Sequence, residues 1–151
     1  MATVSKLVQG AKVGLGSTGF STLASATYIA TSAYNCAANQ PLDTIVEVEC
    51  ATTNTPAGNK QVVVFAKVSL DDGTTWSSGV ESGSVTTDEP NLRFLGVIPM
   101  NSVGITQRNT FSIFSAFGFI PSQFKLVLKN DLGVALTSGS VSTADISGTS
   151  V

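Results

Sequence analysis

Thr44-Ile45-Val46-Glu47-Val48-Glu49-Cys50, and after it Gln61-Val62-Val63-Val64-Phe65-Ala66-Lys67-Val68, decide the fold class. In the first run Val46, Val48 and Cys50 share one face and Glu47 and Glu49 the other. That period of two is the pattern of a half-buried strand. The second run is apolar on both faces until Lys67, as in a strand buried on both sides. The stretch between them, Thr53-Asn54-Thr55-Pro56-Ala57-Gly58-Asn59, is dense in turn formers, so the two runs are expected to pair as a hairpin.

The same alternation extends outward. Leu92-Arg93-Phe94-Leu95-Gly96-Val97-Ile98 reads as a strand that Pro99 closes. Gln123 to Lys129 sends Phe124, Leu126 and Leu128 inward and Lys125, Val127 and Lys129 outward. Thr27 to Thr31 is a further strand, and Val141 to Ile146 a last, weak one. Helical signals are poor. Phe111, Phe114 and Phe117 have helical spacing, but Ser112, Ile113 and Ser115 are indifferent helix formers and Gly118 follows, so no helix is expected there. Several short strands between turn clusters predict an all-β, single-domain β-sandwich of jelly-roll type. Residues 1–25, rich in Gly, Ser, Thr and Ala, are expected to be a flexible N-terminal arm, and residues 26–151 the sandwich. Ser77 to Asn91 reads as a long exposed loop.

Composition narrows the function classes. A chain of 151 residues can bury a sizeable core without metals or disulfides. Only 12% of residues are charged, so the surface must be covered by small polar residues or by another protein. With a net charge of −2 and scattered lysines and arginines, a nucleic-acid partner is not expected. No stretch approaches the ~20 apolar residues of a spanning helix, so no membrane partner is expected either. The N-terminus does not read as a signal peptide. Cys36 and Cys50 then read as two buried thiols, although spacing alone does not show whether they can pair.

The chain has no histidine, which removes the commonest general base and metal ligand, and with it any Ser-His-Asp or Cys-His arrangement. Glu47 and Glu49 read as a solvated strand face. Gly14-Leu15-Gly16-Ser17-Thr18-Gly19 matches the dinucleotide fingerprint in letters but lacks the strand before it and the helix after it. No enzyme activity, cofactor or metal site is therefore expected.

The sharpest local motif is Ser69-Leu70-Asp71-Asp72-Gly73-Thr74-Thr75-Trp76. It resembles the Asp-box, S-x-D-x-G-x-T-W, found in sialidase and other propeller hairpins and in many virion proteins. Gly73 permits a tight turn, Asp71 can accept backbone N–H groups within it, and Trp76 is expected to pack the hairpin onto the core. A propeller needs several copies, and this chain has one. Trp76, Tyr28 or Tyr34 could alternatively stack on a sugar. Phe111, Phe114, Phe117 and Phe119 are candidates for core, or for a subunit interface, since they exceed what one strand hides.

Taken together, Asp43 to Val48, Gly58 to Gln61, Val62 to Trp76, Thr87-Asp88-Glu89-Pro90-Asn91-Leu92, Phe94-Leu95-Gly96 and Pro121 to Asp131 resemble small virion proteins of tailed bacteriophages. The likeness covers residues 42–134. Among such proteins, capsid decoration or cement proteins are similar in size, β content and low charge. The resemblance implies a homo-oligomer, typically a trimer, on the outer surface of a capsid assembled in the host cytoplasm, with the major capsid protein as partner. A tail, neck or head-fibre component is the alternative within the virion, and a carbohydrate-binding module the alternative outside it.

Overall fold

The computed structural model describes residues 5–150. Eleven strands form two antiparallel sheets packed face to face. They are β1 (Ser5–Gln9), β2 (Val13–Leu15), β3 (Tyr28–Ala30), β4 (Tyr34–Asn35), β5 (Asp43–Ala51) and β6 (Gln61–Ser69), then β7 (Ser82–Gly83), β8 (Arg93–Pro99), β9 (Gln107–Ser112), β10 (Gln123–Asp131) and β11 (Ser138–Ser150). A short helix, α1 (Ile113–Phe117), follows β9. In the first sheet β1 and β2 share one side of β11, followed by β5 and β9; in the second the order is β7, then β3 with β4, then β10, β6 and β8. Counting β1 with β2 and β3 with β4 as single interrupted strands, and leaving aside the two-residue β7, gives a sandwich of eight. Its order is first-eighth-third-sixth over second-seventh-fourth-fifth, the double Greek key of a jelly roll.

The alternation read from sequence sets the core. Val46, Val48 and Cys50 of β5 face Val62, Val64 and Ala66 of β6 and Phe124, Leu126 and Leu128 of β10 in one apolar cluster. That arrangement corrects the expected hairpin. β5 and β6 are neighbours in sequence but lie in opposite sheets, because each carries an apolar face that is best buried against the other. The second sheet is also apolar on its outer face, where Tyr28, Val63, Phe65 and Val127 form a second cluster with Leu92. Cys36 and Cys50 are both buried and unpaired, Cys50 Sγ standing 3.5 Å from Met100 Sδ.

Three other expectations need correction. The expected arm, residues 1–25, is built into the sandwich from Ser5 onward; residues 1–4 lie outside the described residues. β1 and β2 pair with β11, and Leu15, Phe20 and Leu23 sit in the main core. Phe20 is fully buried against Gly139 of β11, where a Cβ would come within 2.6 Å of the ring, so only glycine admits this approach. The strand expected to be weak, β11, is the longest and occupies an interior place between β1 and β5. Its small side chains conceal it: Ser142, Thr143 and Ala144 are all buried. Finally, α1 does form. Ser112 is its N-cap, accepting from Ser115 N at 2.9 Å, and Gly118, at φ +76°, ends it. Two of the residues that argued against a helix, Ser112 and Gly118, are its caps.

Phe20→Ala should lower stability by about 3–5 kcal/mol, the usual effect of emptying a buried aromatic site. Urea unfolding would measure it. An unchanged midpoint would mean that the segment before residue 26 is not part of the core.

Candidate functional site

The Asp-box residues meet in one turn at the end of β6. Ser69, almost fully buried, donates from Oγ to Asp71 Oδ1 at 2.8 Å and accepts from Gly73 N at 2.9 Å. Asp71 also accepts from Thr75 N at 2.7 Å and Thr75 Oγ1 at 2.5 Å. Hydrogen bonds from the Thr75 hydroxyl, the Thr75 backbone and Ser69 pull the Asp71 carboxyl down to about 2. Gly73 has φ +87°, a conformation that favours glycine, and the movable end of the Gln123 side chain packs beside it. Ser77 N donates to Val68 O at 2.9 Å and closes the turn.

Trp76 does not reach the core as expected. Its ring is half buried on the outer face of the second sheet, its Nε1 donates to Gly73 O at 3.1 Å, and Lys125 Nζ lies 4.3 Å from the ring centroid. This lysine leads to a constellation that sequence reading missed. Lys67 donates to Glu81 Oε1 at 2.8 Å and to Gly79 O at 3.0 Å, and Lys125 approaches Glu81 Oε2 at 3.2 Å. Lys129 donates to Glu89 Oε2 at 2.7 Å, and the Tyr28 hydroxyl bonds the same carboxylate. The expected loop, Ser77 to Asn91, is thus part of a strap, Leu70 to Leu92, fastened across the second sheet. The signal was present: Lys67 breaks an apolar run, Lys125 and Lys129 stand four apart on one strand face, and two glutamates lie in the loop.

The four phenylalanines differ in burial, although the Phe117 and Phe119 rings meet edge to face with centroids 6.1 Å apart. Phe111 and Phe117 pack against the main core, while Phe114 and Phe119 are exposed near the end of the sandwich. They form no single patch of four. Arg93, Phe94, Thr110, Phe111 and Ser115 line an open cleft of about 400 Å³ where β8 and β9 run side by side. Arg93 Nε bridges it by donating to Ala116 O at 2.7 Å.

Exposed apolar residues are spread over several places, Leu70, Val85, Phe94 and Ile105 among them, and one group lies near the chain ends. β5 pairs β11 only as far as Ile146, so beyond it β1 and the end of β11 form a two-stranded ribbon. Leu7 and Val8 occupy opposite faces of this ribbon and are both exposed, Leu7 at 67%. Gly148 lies opposite Leu7, and a Cβ on it would sit 3.4 Å from Leu42 Cδ1, so Leu7 and the equally open Leu42 flank one spot.

Polar groups inside the sandwich are occupied. Asp145 accepts from Tyr34 OH at 2.8 Å, Asn39 Nδ2 at 2.9 Å and Thr44 Oγ1 at 2.8 Å. Burial and the bond to Asp145 push the Tyr34 hydroxyl up to about 12, and burial pushes the Cys36 thiol up to about 11. Among the described residues no group of three or more His, Cys, Asp or Glu side chains is placed to hold a metal, and no helix is long and apolar enough to cross a membrane. Of the three aromatic residues considered for sugar stacking, Tyr28 is buried and Tyr34 packs on Phe124, which leaves the half-buried Trp76. Gly14 to Gly19 runs from β2 into a three-residue 3-10 turn, Phe20–Thr22, with no helix N-terminus to receive a phosphate.

The Asp71 carboxyl should titrate near 2 in the folded protein, followed by carboxyl carbon shifts in NMR. Its pKa is depressed, so the stability it lends the turn is complete above the ordinary aspartate value of about 4 and is lost as pH falls toward the folded value. Asp71→Asn should abolish that acid-dependent component. A titration at the ordinary value would show that the turn is not held by this carboxylate.

No protein-family model matches this chain, and no curated protein matches it.

Proposed function

We propose that this chain is a structural protein of a tailed-bacteriophage virion, a decoration or cement protein that binds the outer surface of the head. In this reading it forms a homotrimer and clamps neighbouring copies of the major capsid protein. The observation that carries the proposal is the β1–β11 ribbon. It extends past the sandwich with Leu7 and Val8 exposed on its two faces, Leu42 beside it, and strand edges unpaired by β5. A two-stranded ribbon with apolar residues on both faces is marginal alone in water and is stabilised by a neighbour. The resemblance of residues 42–134 to phage virion proteins, the low charge and the jelly-roll topology support the same reading.

Association would bury ribbon and loop apolar surface at about 25 cal/mol per Å², before ordering costs. Symmetric repetition on a lattice multiplies such modest contacts into avidity. Exposed Phe114 and Phe119 are the further candidates for contact between subunits.

The test combines solution mass by light scattering with binding to undecorated phage heads. A trimer that saturates heads is the expected result. Removing residues 1–9 should leave a folded domain, because Leu15, Phe20 and Leu23 remain, and should abolish attachment to heads. Leu7→Asp, which keeps the chain length, should do the same. A monomer with no affinity for heads would overturn the proposal, and undiminished binding by both variants would overturn the role given to the ribbon.

A further inference from the structure

The strap, Leu70 to Leu92, is held to the second sheet by two separable kinds of contact. Val80 and Leu92 pack on the outer apolar cluster of Tyr28, Val63, Phe65 and Val127. Above that layer, Glu81 and Glu89 pair with three lysines of β6 and β10. The main core between the sheets contains no residue of the strap. Its ladder to the sheet is only the short pairing of β7 with β3, Tyr28 with Gly83 and Ile29 with Ser82. A segment with few backbone bonds to the body and no share in the core can open locally while the body stays folded.

We propose that the strap is an acid-released latch: neutralising Glu81 and Glu89 frees it and uncovers the apolar outer face of the second sheet. The charge layout makes those carboxylates decisive. Lys67 and Lys125 stand directly opposite each other on neighbouring strands, and the Lys67 side chain is only 7% exposed. Glu81 bonds both of them. Without its charge, two ammonium groups face each other across one pair of strands, and the buried one keeps only neutral acceptors such as the Gly79 carbonyl. Like charges in directly opposed positions repel, and a buried charge stripped of its counter-ion is strongly destabilising. The groups facing Glu81 are Lys67 from β6 and Lys125 from β10; those facing Glu89 are Lys129 from β10 and the Tyr28 hydroxyl from β3.

The direction of the pH effect follows. Burial pushes both carboxyls up, but the lysine bonds outweigh it and leave both below the ordinary value of 4.5. A depressed carboxylate stabilises the closed form fully above that value and loses its effect as pH falls through the lower folded pKa. Closure is therefore complete at neutral pH and fails in acid. This inference does not depend on the proposed virion role.

Hydrogen exchange read by mass spectrometry, corrected for intrinsic rates, tests it. The double variant Glu81→Gln/Glu89→Gln at pH 7 should lose about tenfold in protection over residues 77–88, with β5 and β10 unchanged. Wild type should show the same local loss as pH falls below the ordinary carboxylate range, while the double variant, having no latch carboxylates left, should show no further acid response in that segment. Glu81→Gln alone serves if the double variant fails to fold. Unchanged strap protection, or loss shared equally with β5 and β10, would overturn the latch.

Discussion

Burial of β6 and β10 on both of their faces is the constraint from which most of this molecule follows. A strand in an ordinary sandwich presents one apolar face; these two present Val62, Val64 and Leu126 inward and Val63, Phe65 and Val127 outward. The inner faces are satisfied by β5 and β11 across the core. The outer faces need a second cover, and the long segment between β6 and β8 supplies it. What read in sequence as a long exposed loop is the third layer of the structure.

That third layer explains the lysines. A strap made of Ser, Thr and Gly has little apolar surface of its own, with Val80 and Leu92 carrying most of the packing. Placing Lys67, Lys125 and Lys129 on the same sheet face gives the strap three further anchor points. Their aliphatic stems cover apolar surface while their ammonium groups reach carboxylates. Lys125 joins two features that are distant in function but adjacent in space: its Nζ lies over Trp76 of the Asp-box turn and also meets Glu81. The turn at the end of β6 thereby sets where the strap begins, and Asp71 fixes the turn.

Sequence reading succeeded where side chains alternate strongly. Val46, Val48 and Cys50, and Phe124, Leu126 and Leu128, were placed on the inner face by period alone, and all six are fully buried. It failed where burial is achieved with small residues. Ser142, Thr143 and Ala144 carry no hydrophobic signal, yet they lie in the longest strand, and Gly139 reads as a turn former although Phe20 requires it as a flat surface. The N-terminal segment was misjudged for the same reason, since one large residue, Phe20, holds a stretch otherwise rich in Gly, Ser and Thr. The pairing of β5 with β11 and β9 instead of β6 is a long-range choice, and local turn chemistry carries no information about it. The candidate site was legible in part. The motif drew attention to the turn in which Asp71 accepts from Thr75 N and Gly73 has positive φ, whereas Glu81 and Glu89 acquire meaning only once the strap crosses the sheet.

The two outer faces of the sandwich are finished differently, and the contrast locates the surface left for a partner. The second sheet covers itself with the strap. The first sheet needs no cover, because its outer face alternates Ser140, Ser142 and Ala144 of β11 with Glu47 and Glu49 of β5, which meet Lys12 and Arg108. Exposed pairs of this kind contribute little stability, but they keep the face wet and unattractive to apolar neighbours. Exposed apolar residues remain at the ribbon and its neighbour Leu42 and at Phe114 and Phe119, and also at Leu70 and Val85 of the strap and at Phe94 of β8. In the proposed reading, the ribbon with Leu7, Val8 and Leu42 is the part of this low-charge domain that a neighbour would hold. Such a ribbon, apolar on both faces and paired along only one edge of each strand, gains most from a neighbour that covers it, which is the contact the proposed lattice role requires.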